Sequence, residues 1–143
     1  MSPKLYDQAC YALYSASNQV TKAYRSLLQP FKLTYPQFVA MMALWEEDNV
    51  SVSALAKTVG VSKATMTPLL KRLELLGYIR KEQADGDDRQ KCIVLTNSGQ
   101  SLAQDANEVA KKALCATGLE NSEVEQLIQL CGKIKHSISN QIC

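Results

Sequence analysis

Ala54-Leu55-Ala56-Lys57-Thr58-Val59-Gly60-Val61-Ser62-Lys63-Ala64-Thr65-Met66-Thr67-Pro68-Leu69-Leu70-Lys71-Arg72-Leu73-Glu74-Leu75-Leu76-Gly77 is the stretch on which the fold turns. Its first six residues predict a short helix stopped by Gly60, because glycine takes the left-handed conformation that ends helices. Val61-Ser62 then caps a second helix, whose apolar positions Leu69, Leu70, Leu73 and Leu76 run to Gly77. Pro68 leaves two arrangements open, since a proline in a helix interior removes a backbone bond. Either the helix starts late and Pro68 falls in its first turn, or the helix bends there. A short helix, a glycine-containing turn and a second helix make a helix-turn-helix.

Working outward, Tyr78-Ile79-Arg80-Lys81-Glu82 and Lys91-Cys92-Ile93-Val94-Leu95 read as strands around a polar turn at residues 84–88. A basic hairpin placed directly after the second helix is a wing. Upstream, Leu5, Ala9, Leu13, Ala16, Val20, Ala23 and Leu27 recur at helical spacing, which predicts one long amphipathic helix ending before Pro30. Thr34-Tyr35-Pro36-Gln37 has the form of a capping box with proline in the first turn. Phe38, Met41, Met42 and Trp45 give the next helix its apolar face, and Ser51-Val52-Ser53 reads as a short extended stretch and cap. Downstream, Leu102, Ala106, Val109 and Ala113 mark a helix ending near Thr117-Gly118. Leu127, Leu130, Cys131, Ile134, Ile138 and Ile142 mark the last one, with Asn121 or Ser122 as its cap.

The expected fold class is therefore mainly α with a small β-hairpin wing: a winged helix-turn-helix over 1–143, with the DNA-binding winged region at 50–96. The helices of 1–30 and 97–143 are apolar on one face that the chain cannot easily bury alone. They are the expected interface of an obligate homodimer.

The net charge of +2 over 143 residues does not announce a nucleic-acid binder. Its distribution says more. Lys57, Lys63, Lys71, Arg72, Arg80 and Lys81 stand against Glu74 alone, a cluster suited to phosphates, though on charge alone a solvated basic face fits equally well. No run of about 18 apolar residues exists to span a membrane, and the first residues lack the apolar stretch of a signal peptide, so a cytoplasmic protein is expected. Five scattered cysteines do not form a disulfide framework. Without Cys-x-x-Cys, and with His136 the one histidine, no zinc site is expected, and nothing calls for a cofactor. His136 is placed on the solvated side of the last helix without a role.

In a helix-turn-helix the early residues of the second helix meet base edges. Here these are Ser62, Lys63, Thr65, Met66 and Thr67, with Lys71 and Arg72 on phosphates. Arg89 is the wing-tip residue for a minor groove, or the ion-pair partner of Asp85 or Asp87. One such module reads few base pairs, so the expected partner is palindromic double-stranded DNA bound by the dimer.

Met66-Thr67-Pro68-Leu69-Leu70-Lys71-Arg72-Leu73-Glu74, Gly77-Tyr78-Ile79, Asp88-Arg89 and Leu95-Thr96 resemble the MarR family of bacterial regulators. Cys10-Tyr11-Ala12-Leu13-Tyr14, followed by Leu33-Thr34-Tyr35-Pro36-Gln37, is similar to the organic hydroperoxide sensors within it (the OhrR group), and to the thiol-based virulence regulators of staphylococci. The resemblance covers nearly the whole chain. It implies a regulator, not an enzyme, and a peroxide-reactive thiol at Cys10. It also implies that Tyr24 and Tyr35 hydrogen-bond that sulfur, with Tyr14 lining the pocket and an organic hydroperoxide as the signal. Cys115-Ala116-Thr117-Gly118 resembles the resolving-cysteine segment of the two-cysteine sensors, which implies disulfide formation with Cys10 of the other subunit. Two departures stand out: Lys63-Ala64 replaces the family's frequent Ser-Gly, and Gly86 stands where the wing usually has proline or an acidic residue.

Geometry adds a constraint. Cys10 and Tyr24 are fourteen residues apart on one helix, roughly 21 Å, so they meet only across an interface with an antiparallel partner helix. Cys131 is read as core, Cys92 as structural in the wing, and Cys143 as a terminal thiol. An ordinary buried cysteine is the alternative for Cys10. Three other functions compete: a regulator released by a small aromatic ligand, a thiol peroxidase, and a protein-interaction module. Release of DNA by such a ligand with Cys10 removed marks the first. Sustained peroxide turnover marks the second. The basic recognition segment speaks against the third.

Overall fold

The computed structural model describes the backbone of residues 1–84 and 87–141 and the side chains of residues 1–83 and 91–141. The wing-tip expectations for Arg89 and its partners Asp85 or Asp87, the Gly86 departure and the terminal Ile142 and Cys143 lie outside the described side chains. Two compact units divide the chain, Met1–Ala113 and Leu114–Cys143.

In the first unit, a 3-10 turn at Leu5–Asp7 precedes helix α1, Ala9–Leu28. The single long helix expected from Leu5 onward is thus interrupted. Gln8 is extended (φ −95°, ψ 117°) although the apolar spacing continues through it. A second 3-10 turn, Gln29–Phe31, takes in Pro30, and Lys32 in the left-handed region (φ 60°) redirects the chain. Helix α2, Tyr35–Glu46, then starts from the expected capping box. Thr34 Oγ1 accepts from the Gln37 N–H at 3.4 Å, and Gln37 Oε1 accepts from the Thr34 N–H at 2.9 Å. Two of the orphan donors at the helix start are satisfied in this way.

Strand β1, Val50–Ser51, runs directly into helix α3, Val52–Val59, and the Ser51 hydroxyl accepts from the Ala54 N–H at 3.1 Å. Gly60 ends α3 at φ 86°. Helix α4, Lys63–Leu75, starts from Ser62, whose oxygen accepts from the Thr65 N–H. Pro68 is inside it, the sixth residue, so a late start is excluded. The carbonyl four residues back, at Ala64, receives no bond from it, and both residues lie on the exposed side. Gly77 (φ 83°) closes α4: the Tyr78 N–H reaches the Leu73 carbonyl and the Gly77 N–H the Glu74 carbonyl. These two bonds form a Schellman motif.

The hairpin strands are longer than expected: β2 is Ile79–Ala84 and β3 is Asp87–Leu95. They pair antiparallel, with Ile79 opposite Leu95 and Lys81 opposite Ile93. β1 adds a third strand on the far side of β3, with Val50 opposite Ile93, in the order β1-β3-β2. The Asp48 carboxylate reinforces that edge, accepting from the N–H groups of Leu95 and Asn49 at 2.9 and 2.8 Å. Helix α5, Asn97–Ala116, follows. Phe38, Met41, Leu44, Met66, Leu70, Leu73, Ile79 and Ile93 form one core shared by α2, α4 and the sheet.

In the second unit, helix α6, Asn121–Asn140, begins from Glu120 rather than the expected Asn121 or Ser122. Glu120 and Glu123 form a reciprocal capping box, with the Glu120 N–H donating to Glu123 Oε1 at 3.0 Å. No described residue of α6 is buried: Leu127, Ile128, Leu130, Ile134 and Ile138 stand exposed. Cys131, read as core, is only half-buried for the same reason.

Candidate nucleic-acid interface and thiol site

The recognition helix α4 separates its faces by register. Met66, Leu70 and Leu73 fall at i, i+4 and i+7 and are fully buried. Met66 therefore does not reach a base edge, which corrects its assignment as a reading residue. At 100° per residue, the opposite face centres on Ala64, Pro68 and Leu75. Lys71 and Thr67 flank it on one side, Arg72 and Thr65 on the other, all exposed. Lys63 is exposed at the first helical position. Ala64 and Pro68 were missed as candidates, yet the spacing that buries Met66 already turns them outward.

The hydroxyls are partly committed. Ser62 Oγ caps the helix and its O–H donates to Thr65 Oγ1 at 2.9 Å, so Ser62 organises the helix start instead of offering a donor to a base. The Thr67 O–H donates to the Lys63 carbonyl at 2.9 Å, which leaves its oxygen as an acceptor for an adenine or cytosine amino group. Lys63, Lys71 and Arg72, with Lys57 on α3, give the surface its positive charge. On β2, the exposed Arg80 pairs with Glu82 at 2.7 Å.

The thiol candidates divide between the two units. Cys10, on α1, is exposed in the single chain. Tyr14, one turn on, is exposed as well, and Tyr24 lies further along the same stripe of α1. Tyr24 and Tyr35, from different helices, stack with ring centroids 4.5 Å apart, and Phe38 backs Tyr24 at 5.7 Å. Burial, and then the neighbouring Tyr35, push the Tyr24 phenol above its ordinary value. It stays a hydrogen-bond donor across the neutral range. Cys115 is exposed near the end of α5, and Cys92 is half-buried in β3. Among the described residues no group of three His, Cys, Asp or Glu could hold a metal ion, and no helix is long and apolar enough to cross a membrane.

Burial, and then Asp105, likewise raise Tyr78. Alkaline titration followed by phenolate absorbance is expected to show Tyr24 and Tyr78 ionising above the ordinary tyrosine value near 10. A raised folded-state value means the native protein holds these protons longer. Stability is therefore intact below the unfolded value near 10 and falls as pH climbs through the folded values. A titration unchanged in its late part by Tyr24→Phe and by Tyr78→Phe would contradict this.

The MarR family model matches residues 33–91. The transcriptional regulator MgrA of Staphylococcus aureus, described as HTH-type, is 33% identical over 134 residues, which are 93% of this chain and 91% of MgrA. Among solved structures, reduced AbfR bound to DNA superposes with a TM-score of 0.79 at 28% identity, covering 96% of this chain and 94% of that one. AbfR is from Staphylococcus epidermidis. Its disulfide-formed state gives a TM-score of 0.68 at 27% identity, covering 95% and 90%.

Proposed function

The chain belongs to the MarR family of DNA-binding transcriptional regulators, and we propose that it is a cytoplasmic repressor released from a palindromic operator when an organic hydroperoxide oxidises Cys10. The observation that carries this reading is the packing of Tyr24 against Tyr35, ring centroids 4.5 Å apart with the planes tilted by 37°. Two phenols from separate helices are gathered into one donor site, while the thiol meant to receive them is exposed on the same helix stripe as Tyr24.

The helix spacing keeps Cys10 and Tyr24 of one chain apart, so the site needs a homodimer. An antiparallel α1 brings Cys10 to Tyr24 of the partner subunit and Tyr35 of the partner subunit, with Tyr14 beside the thiol. The exposed apolar residues of α6 supply further surface for the same dimer. Phenol donors favour the thiolate, the reactive form. Its sulfur attacks the terminal oxygen of the hydroperoxide, the O–O bond breaks, and the departing alkoxide takes a proton and leaves as the alcohol. Sulfur now carries the hydroxyl as a sulfenic acid. The Cys115 thiol of the partner subunit then forms the S–S bond and expels that hydroxyl as water. AbfR, similar along almost its whole length, is known in reduced, overoxidised and disulfide-formed states, which supports thiol chemistry on this scaffold.

On DNA, each protomer lays α4 into a major groove. Lys63, Thr65 and Thr67 face base edges, Ser62 holds the helix start, Lys71 and Arg72 hold phosphates, and Arg89 of the wing approaches the adjacent minor groove. Half-sites lie one helical turn apart, about 34 Å, so a small change in the separation of the two reading heads breaks the match.

The test is fluorescence anisotropy on the DNA upstream of the protein's own coding sequence. About one equivalent of cumene hydroperoxide per subunit is expected to abolish tight binding, with a thiol reductant restoring it. Cys10→Ser should bind like the parent and ignore the oxidant. A Cys10→Ser protein that still lets go on oxidation would sink the sensor assignment.

A further inference from the structure

Besides the shared apolar core, a side-chain hydrogen bond joins the end of the recognition helix to the α1–α2 elbow. The Tyr78 hydroxyl donates to the Phe31 carbonyl at 3.1 Å, across 47 residues of sequence. Phe31 closes the 3-10 turn between α1 and α2, a turn braced by the Lys32 N–H on the Gln29 carbonyl and the Leu33 N–H on the Leu28 carbonyl. Leu28 and Leu33 are both buried, so the elbow is anchored in the core. Tyr24 stands one turn before Leu28, and Tyr35 is the first residue of α2.

The other end of the tie is as firmly fixed. The Tyr78 N–H closes α4 on the Leu73 carbonyl, and the Tyr78 carbonyl accepts from the Thr96 N–H at 3.1 Å. Thr96 also donates its hydroxyl to the Gly77 carbonyl at 2.6 Å and accepts from the Gly99 N–H. Tyr78 thus cannot follow a shifted elbow without carrying the end of α4 with it. Burial keeps its phenol protonated and able to donate.

We propose that the Tyr78 hydroxyl is a positioning group through which a displacement of the α1–α2 elbow resets the recognition helix. The signal it carries on oxidation rests on the sensor reading above. The tie acts on whatever moves Tyr24 and Tyr35. Loss of the hydroxyl removes the hydrogen bond between elbow and helix end and leaves the shared apolar core in place, because Phe keeps the ring packed.

The experiment compares parent and Tyr78→Phe, each reduced and oxidised, by anisotropy on the upstream DNA, with amide exchange at Gly77 and Tyr78 as the second readout. Reduced Tyr78→Phe is expected to bind within about threefold of the parent, since a coupling of the usual size begins near fivefold. Oxidation is expected to weaken the parent by about 5- to 150-fold and to weaken the variant several-fold less. Exchange at Gly77 and Tyr78 should change on oxidation in the parent alone. Equal release by both proteins overturns the proposal, and so does a variant that binds poorly when reduced, which would mark Tyr78 as merely structural.

If the parent ignores the oxidant, the sensor reading has failed and a second cycle decides the tie. Tyr35→Ala, or Tyr35→Phe where the alanine form does not fold, is measured in both backgrounds. An effect on DNA affinity and on Gly77 and Tyr78 exchange that needs Tyr78 supports the tie. The same effect in both backgrounds, or none in either, overturns it.

Discussion

Gly99→Ala is expected to lower the melting temperature by on the order of 10 °C, a loss of about 3 kcal/mol. Gly132→Ala is expected to raise it by a few degrees, about 0.5–1 kcal/mol. Both glycines are inside helices, where alanine is ordinarily the better residue. The difference is what a methyl group would meet. At Gly132 it meets nothing within 4 Å. At Gly99 it would run into the Tyr78 carbonyl oxygen and lie 3.3 Å from Leu95 Cδ2. That oxygen is a backbone atom already bonded to the Thr96 N–H, so it cannot swing aside as a side chain would. Relief means pulling α5 off the end of α4. This breaks the Thr96 bonds to Gly77 and Tyr78 and strains the Trp45 Nε1–H bond to the Gly99 carbonyl, 2.9 Å. Thermal denaturation of the two variants side by side decides it. Equal shifts would refute the account of the junction.

Lys71→Ala with Arg72→Ala is expected to weaken DNA binding about a thousandfold near 0.15 M salt, with little dependence on sequence. Each phosphate contact on duplex DNA contributes about 0.9 to the slope of log affinity against log salt. A dimer loses four contacts, so the slope should flatten by about 3.6, and at 0.15 M that amounts to about three decades. The exposure of both residues on the outer half of α4, clear of the buried Met66, Leu70 and Leu73 row, is the structural ground. Lys63→Ala should behave differently. A donor at the first turn that reaches a guanine is expected to cost about 1–3 kcal/mol on the operator and much less on unrelated DNA. Titrations of both variants at several salt concentrations, on operator and scrambled duplexes, separate the two roles. An unchanged salt slope in the double variant would remove Lys71 and Arg72 from the phosphate contacts.

The order of helices, the Thr34 capping box, the Gly60 stop and the hairpin were all legible because each rests on local chemistry: a period, a capping hydroxyl, a residue free to take positive φ. Failures came where the local signal was weak or shared. The short extended stretch and cap at Ser51 were legible, but the pairing of β1 with Ile93 and Cys92 was not, because two residues are too short for any alternation. Glu120 caps α6 although glutamate is a poor cap by rank, because Glu123 returns the bond. Proximity to the helix start points Met66 at a base, but its i, i+4 relation to Leu70 puts it in the core. Pro68 was tolerated in the interior because the carbonyl it deprives is on the exposed side. The pairing of Tyr24 with Tyr35 had no period to announce it; only the resemblance pointed there. The Tyr78 tie was invisible for a related reason, since its acceptor is a main-chain carbonyl, which any residue at position 31 would supply.

Ser51 ends β1 and caps α3 with the same side chain, while Asp48 closes the N–H of Leu95 at the far end of the wing. For anyone building chimaeras between relatives, this sets where the cuts can fall. A reading helix or a wing transplanted alone would leave its donor's serine or aspartate behind and arrive with unsatisfied amides. A cassette running from Asp48 through Gly99 carries every one of these partners with it. Among the described residues it needs from its host an indole donor for the Gly99 carbonyl, a backbone carbonyl at the elbow and an apolar seat for α3, α4 and the sheet.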